Sequence, residues 1–133
     1  MVYGPGCPGN FTRLIKLVKR FPIFPNINNK RSMIYIDNLC EFITQIVIEG
    51  RSGVFLPQNR EYVSTAALVK LIGKYLGKNI RITRLFNPLV VLAGMFISSV
   101  GKMFGSLVYN HMDDVCNVVE FEESVRVTVL GRK

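Results

Sequence analysis

Lys30-Arg31-Ser32-Met33-Ile34-Tyr35-Ile36-Asp37-Asn38-Leu39 is the stretch on which the reading of this chain turns. Two cations open it, an apolar run follows, and two short polar residues stand where that run gives way to helical spacing. It reads as a basic loop, a short strand over Ser32 to Ile36, and a helix entered at Asp37 or Asn38, with those two residues as caps. An arginine just before a buried strand is placed to hold an anionic ligand at a domain edge, because its planar fork of donors matches phosphate oxygens.

Outward from this stretch the pattern alternates short strands with helices. Met1-Val2-Tyr3 reads as the tail of a strand. Asn10 is expected to cap a helix that runs to about Arg20, with Phe11, Leu14, Ile15, Val18 and Phe21 on one face. Pro22-Ile23-Phe24-Pro25 reads as an extended edge segment, since proline withdraws a ladder donor. The helix after Asn38 is expected to bury Leu39, Phe42, Ile43, Ile46 and Val47, with Cys40 a core thiol beside them, and Gly50 stops it. Gly53 to Pro57 reads as a strand. Ser64 or Thr65 caps a helix with Leu68, Val69, Leu71, Ile72 and Tyr75 inward, ended by Gly77. Ile80 to Leu85 alternates as a strand, and Asn87-Pro88 opens a helix to about Phe104. Leu107-Val108-Tyr109 is a short extended piece. A last helix spans about Phe121 to Val129, with Glu122 and Glu123 in its first turn, where the helix dipole favours them. The fold class is α/β, a mixed α+β arrangement of short strands alternating with helices.

Charge narrows the partners. The chain has 133 residues and a formal net charge of +8. Residues 1–36 carry six basic side chains and no acid, and so do residues 62–112. Two acid-free basic stretches favour an anionic partner: nucleotide phosphate, nucleic acid or anionic lipid. No recognition motif of a standard nucleic-acid module is present. The run from Leu89 to Val100 is apolar apart from Ser98 and Ser99, but it is short of the roughly 20 residues of a membrane span. It reads as a buried or partner-facing helix, ahead of one lying on a membrane surface. Cys7, Cys40 and Cys116 have no metal-ligand spacing, and one histidine adds little, so no metal site and a reducing, cytoplasmic setting are expected. Gly4-Pro5-Gly6-Cys7-Pro8-Gly9 spells G-x-G-x-x-G, but Pro5 and Pro8 have no N–H to offer a pyrophosphate. The spelling reads as a rigid turn, not a dinucleotide cradle.

Several pieces match one family in order. Val2-Tyr3-Gly4-Pro5-Gly6 resembles the V-Y-G-P loop of extended short-chain dehydrogenase/reductase proteins, the NAD-dependent epimerase/dehydratase group, with nucleotide-sugar 4-epimerases the nearest likeness. Gly9-Asn10-Phe11 is similar to the family's loop-to-helix step, Ile23-Phe24 to its I-F-G segment, and Arg31 to Leu39 to its R-x-F-V-x-V-D-D-L motif. Gly53-Val54-Phe55 with Val63-Ser64 resembles a later G-x-Y-N-x-G and V-S segment. Pro25 stands where the family has glycine, and Asn38 replaces the second motif aspartate. The likeness covers residues 1 to about 84 and loosens from Phe86 onward.

The resemblance implies a single substrate-binding domain over residues 1–133, a family-like core over 1–85 and a helical C-terminal extension over 86–133. It is the lobe of an extended Rossmann-type enzyme without its nucleotide-binding sheet. Arg31 would contact the substrate diphosphate, Asn10 a phosphate, and Phe24 the base. Tyr3 and Gly4 would lie near the sugar, and Arg84 would be the distal nucleotide arginine. The parent reaction would oxidise a UDP-sugar with bound NAD and return the hydride to the other face. The family's glycine-rich NAD motif and its Tyr-x-x-x-Lys pair are missing, so no catalytic residue and no cofactor site are expected in this chain, which would be inactive alone. The expected partners are a UDP-sugar, an absent N-terminal NAD-binding domain, and copies of the chain through exposed apolar surface. The alternatives are a basic nucleic-acid-binding module and a membrane-proximal interaction domain.

Overall fold

The computed structural model describes residues 1–96, 101–102, 104–109 and 118–131. Its elements are β1 (Val2–Tyr3), α1 (Asn10–Arg20), β2 (Ile23–Pro25), β3 (Ile34–Tyr35), α2 (Ile36–Glu49), α3 (Thr65–Tyr75), β4 (Arg81–Thr83), α4 (Asn87–Phe96) and α5 (Phe121–Leu130). The strands form two separate parallel pairs. β1 lies beside β3, with Val2 opposite Ile34 and Tyr3 opposite Tyr35. β2 lies beside β4, with Phe24 opposite Ile82. Parallel pairs need a crossover between their strands, and α1 or the α2–α3 stretch supplies it.

The core gathers around α3, which packs against α1, α5 and β2. Leu68, Val69 and Ile72 of α3 are buried with Phe11, Leu14 and Val18 of α1 and Val125 of α5. Tyr3 sits at the centre, stacked on Phe11 at 4.8 Å between ring centroids and tilted against Tyr35 at 5.6 Å. Ser64 caps α3 by accepting from Ala67 N at 3.1 Å, as its position before the apolar run suggests. Gly73 is needed for close approach of α3 to the next loop, since an added Cβ would lie 2.5 Å from Ile80 Cγ1.

Several local expectations are corrected. Gly9, not Asn10, caps α1: its φ of 126° suits glycine, and its carbonyl accepts from Arg13 N. Phe21 follows α1 as its C-cap and is exposed. The strand expected over Ser32 to Ile36 shrinks to two residues, because Ile36 already begins α2. That helix is capped by Tyr35, with no side-chain cap, so Asp37 and Asn38 lie in its first turn. Asn38 is fully buried and bonded to Val119 instead: its Nδ2 donates to Val119 O at 3.1 Å and its Oδ1 accepts from Val119 N at 2.9 Å. Of the apolar face expected on α2, Phe42 is buried, while Ile43 and Val47 face solvent, and Cys40 is exposed. No strand forms at Gly53 to Pro57; Gly53 adopts a φ of 141° and Val54 is exposed. Asn87 begins α4 without capping it: its Nδ2 donates to Asn26 O at 2.7 Å.

Residues 101, 102 and 104 are again helical. The expected course through Ser98, Ser99 and Val100, and Cys116, lie outside the described residues.

Candidate functional site

Arg31 is held by backbone on both sides. Its N–H donates to Val63 O at 3.1 Å and its carbonyl accepts from Val63 N at 3.2 Å. Lys30 O accepts from Leu107 N, and Ser32 N donates to Leu107 O at 2.8 Å. The basic loop is thus the middle rung between an antiparallel bridge to Val63 and a parallel one to Leu107. This arrangement makes the extended piece at Leu107 a structural neighbour of the arginine. Ser32 Oγ also accepts from Tyr109 N at 3.0 Å.

The Arg31 side chain is only 6 % exposed. Burial lowers its pKa from the ordinary guanidinium range, but that range is high enough for it to stay charged at neutral pH. Nearby, the Met1 ammonium donates to Ser32 O at 2.9 Å, and its pKa is lowered first by burial and then by the charge on Arg31. A cation removed from bulk water acts on an anion through a lower effective dielectric than one on the surface does.

Beneath this edge lies a buried hydrogen-bonded set. Asn59 N donates to Met33 O at 2.7 Å, its Oδ1 accepts from Tyr35 N at 3.3 Å, and its Nδ2 donates to Tyr3 Oη at 3.1 Å. Tyr3 Oη and Ser124 Oγ are 2.5 Å apart. Burial raises the Tyr3 pKa even though the bonds from Ser124 and Asn59 pull it down. This set joins β1, β3, the 58–63 loop and α5 into one body. Asn29 does the same for α3, its Oδ1 accepting from Thr65 N at 2.8 Å and its Nδ2 donating to Thr65 Oγ1 at 2.8 Å. Sequence reading missed Asn29, Asn59 and Ser124; an asparagine between apolar runs carries no mark that separates a turn from a buried tie.

The six sequence-derived candidates do not share one cluster. Tyr3 is wholly buried, and Gly4 is packed so tightly on Ile36 that an added Cβ would lie 2.4 Å from its Cγ2. Phe24 is a core residue of β2. Asn10 is half-buried at the start of α1, and Arg84 is exposed just after β4. The register sets Arg31 three positions before Ile34, whereas Gly4 comes two positions after Val2, the partner of Ile34. Five positions of near-extended chain put them roughly 16 Å apart, at opposite ends of the β1–β3 pair. Phe24 and Arg84 belong to the other pair, where Thr83 lies beside Pro25.

A cleft of about 560 Å³ opens elsewhere, between the 59–61 loop, α3 and the start of α5. Among the described residues, Glu61, Glu120 and Glu122 line it with one cation, Arg60, which suits a diphosphate poorly. Among the described residues no group of side chains could hold a metal ion, and no helix is long and apolar enough to cross a membrane. The glycine-proline turn from Gly4 to Gly9 does not fit a dinucleotide. Cys7 N is already bonded to Gly4 O at 3.2 Å, and Pro5 and Pro8 have no donor.

Comparison with known proteins agrees with the ordered motifs. No protein-family model matches the chain. A UDP-glucose 4-epimerase of Vibrio cholerae is 32 % identical over 117 residues, taking in 68 % of this chain and 36 % of that protein. In fold, the chain matches a dTDP-4-dehydrorhamnose reductase from Bacillus anthracis, solved in complex with NADP, with a TM-score of 0.67 and 14 % identity. That match covers 99 % of this chain and 46 % of the reductase. The chain therefore spans less than half the length of either protein, and its short parallel strands and helices correspond to a part of a Rossmann-like reductase fold. In sequence order and in fold, the chain resembles the extended short-chain dehydrogenase/reductase family.

Proposed function

We propose that this chain is the nucleotide-sugar-binding segment of an epimerase- or dehydratase-type enzyme, with a UDP-sugar as its ligand and no catalysis of its own. The observation that carries this is Arg31: a desolvated guanidinium, fixed by backbone bonds on both sides, in the motif position where the family places its diphosphate contact. Arg31 takes the diphosphate in forked hydrogen bonds. Asn10 and Arg84, both reachable from solvent, serve the outer parts of the ligand. Tyr3, Gly4 and Phe24 act from beneath, by fixing the loops and strands that carry the others.

The hydride chemistry requires groups that this sequence does not contain. In this reading an NAD-binding half, on the same or another polypeptide, supplies the catalytic groups. It would extend the β1–β3 sheet at β1 and cover the apolar side of α2. Two observations favour that placement. A two-stranded parallel pair is too small to stand as a sheet, and Ile43, Val47 and Ile48 of α2 face water. The free thiols of Cys7 and Cys40 fit a reducing, cytoplasmic setting.

Isothermal titration of the chain with UDP and UDP-sugars tests the proposal. Binding is expected, and Arg31→Ala should weaken it by the loss of a charged hydrogen bond, about 1.5–3 kcal/mol. Absence of heat at millimolar ligand, or equal affinity in the variant, would contradict it.

A further inference from the structure

The C-terminal end of α1 and the start of β4 bring exposed cations to one surface. α1 turns Phe11, Leu14 and Val18 inward, so Lys16, Lys19 and Arg20 lie together on its outer side at helical spacing. The Lys78 ammonium donates to Lys19 O, which ties the loop after α3 to this end of the helix. Arg81 N donates to Pro22 O at 2.8 Å, and the strand register sets Arg81 opposite Ile23, just past Arg20. Register partners share a face of a strand pair, and both of these side chains are exposed. Among the described residues none of Lys16, Lys19, Arg20, Lys78 and Arg81 is paired with an acid. No acid occurs in residues 1–36 or 62–112.

An aromatic ring stands beside this charge. Phe21 follows α1 directly, its N–H donating to Leu17 O at 2.8 Å, and the Arg20 guanidinium lies 5.6 Å from its ring centre. The ring is nevertheless 47 % exposed. A ring held in water beside cations can stack on a base while the cations meet the flanking phosphates. Cations spread over α1, the loop after α3 and β4 suit a chain of phosphates better than a single one. Two other partners fit less well. A bilayer takes up the apolar side of a helix, and α1 keeps that side buried. A second copy brings the same cations and a net charge of +8, so pairing sets like charges together.

We infer that this surface binds single-stranded nucleic acid through its phosphate backbone, with Phe21 stacking on a base and no readout of sequence. It shares no residue with the proposed Arg31 site, so either can fail without the other.

The test is fluorescence anisotropy of the full 133-residue chain with a labelled deoxythymidine oligomer of about 15 nucleotides. Saturable binding is expected. It should weaken roughly a hundredfold between about 50 and 200 mM salt, because log K falls against log salt by about 0.7 for each phosphate contact on a single strand. Lys19→Ala with Arg20→Ala should weaken binding by about tenfold or more and reduce that slope by about 1.4. Phe21→Ala should weaken the single strand by about fivefold or more, as the loss of one stacked base implies, and leave a duplex of the same length unaffected. Arg51→Ala with Arg60→Ala removes as much charge from outside the surface and should bind nearly as wild type. All these side chains are exposed, so the thermal melts should stay unchanged. Four results would overturn the inference. One is no binding at low salt, and another is an equal loss in the Arg51, Arg60 variant. The third is polyglutamate bound as tightly as the oligomer with the same dependence on Phe21, the behaviour of a surface for acidic proteins. The last is anionic vesicles that bind wild type and not Phe21→Ala, the behaviour of a surface for lipid.

Discussion

At the scale of the residue, the buried polar side chains have a larger role than their number suggests. Tyr3 Oη, Asn59 and Ser124 form one set in the core, and breaking it leaves partners without bonds. Tyr3→Phe should destabilise the fold by about 1–3 kcal/mol in urea denaturation, the cost of stranding a buried polar group. Its pH dependence follows from the direction of the shift. The folded-state pKa of Tyr3 is raised above that of the unfolded phenol, so its contribution is complete below pH ~10 and is lost as pH rises through the folded value. Wild type should therefore lose stability at alkaline pH, and Tyr3→Phe should remove that component. A set of melts across pH 8–11 checks it. Asn38→Ala should likewise cost about 1–3 kcal/mol and release the 118–131 segment from α2, visible as faster amide exchange there.

These residues also mark where sequence reading stopped. Of the two cations that open the stretch, Arg31 was legible only as a basic residue ahead of an apolar run, and its bridges to Val63 and Leu107 left no sign in the sequence. Asn10 and Asn38 were read as helix caps because asparagine favours that place. Gly9 took the first role through a backbone angle suited to glycine, and tertiary bonding to Val119 claimed the second. Such long-range bonds leave no periodic trace.

At the scale of the element, helices were legible and strands less so. α1, α3 and α5 came close to their expected spans because α1 and α5 each pack a face on α3. α2 also formed, but Ile43 and Val47 of its apolar pattern face solvent, so periodicity named the wrong residues as core. The Gly53 to Pro57 run has strand composition and no neighbour to pair with among the described residues. The α3–loop contact gives a sharp prediction. Gly73→Ala should cost about 1–3 kcal/mol by overpacking, since the new methyl meets Ile80 and the Lys78 carbonyl. Ser64→Ala should cost about 0.5–2 kcal/mol through the lost cap. Chemical denaturation of both variants measures these, and a smaller loss in Gly73→Ala than in Ser64→Ala would mean the loop yields easily.

At the scale of the whole molecule, the exposed apolar surface is the main fact to be explained. Ile43, Val47 and Ile48 on α2 and Leu92, Met95 and Phe96 on α4 lie in different parts of the fold, and the chain spans under half of the proteins it resembles. Val47→Ser with Ile48→Ser should reduce self-association in size-exclusion chromatography with little change in melting, because both side chains are largely exposed. The six candidate residues are spread over both strand pairs, their flanking loops and the start of α1, so the account rests on Arg31 above the rest. The most direct test is a UDP titration of ¹⁵N-labelled protein that follows the Arg31 Nε–H resonance and the amides of 30–32 and 63. The account predicts saturable shifts at these positions, absent in Arg31→Ala. Shifts confined to the basic surface of α1, or none at millimolar UDP, would contradict it.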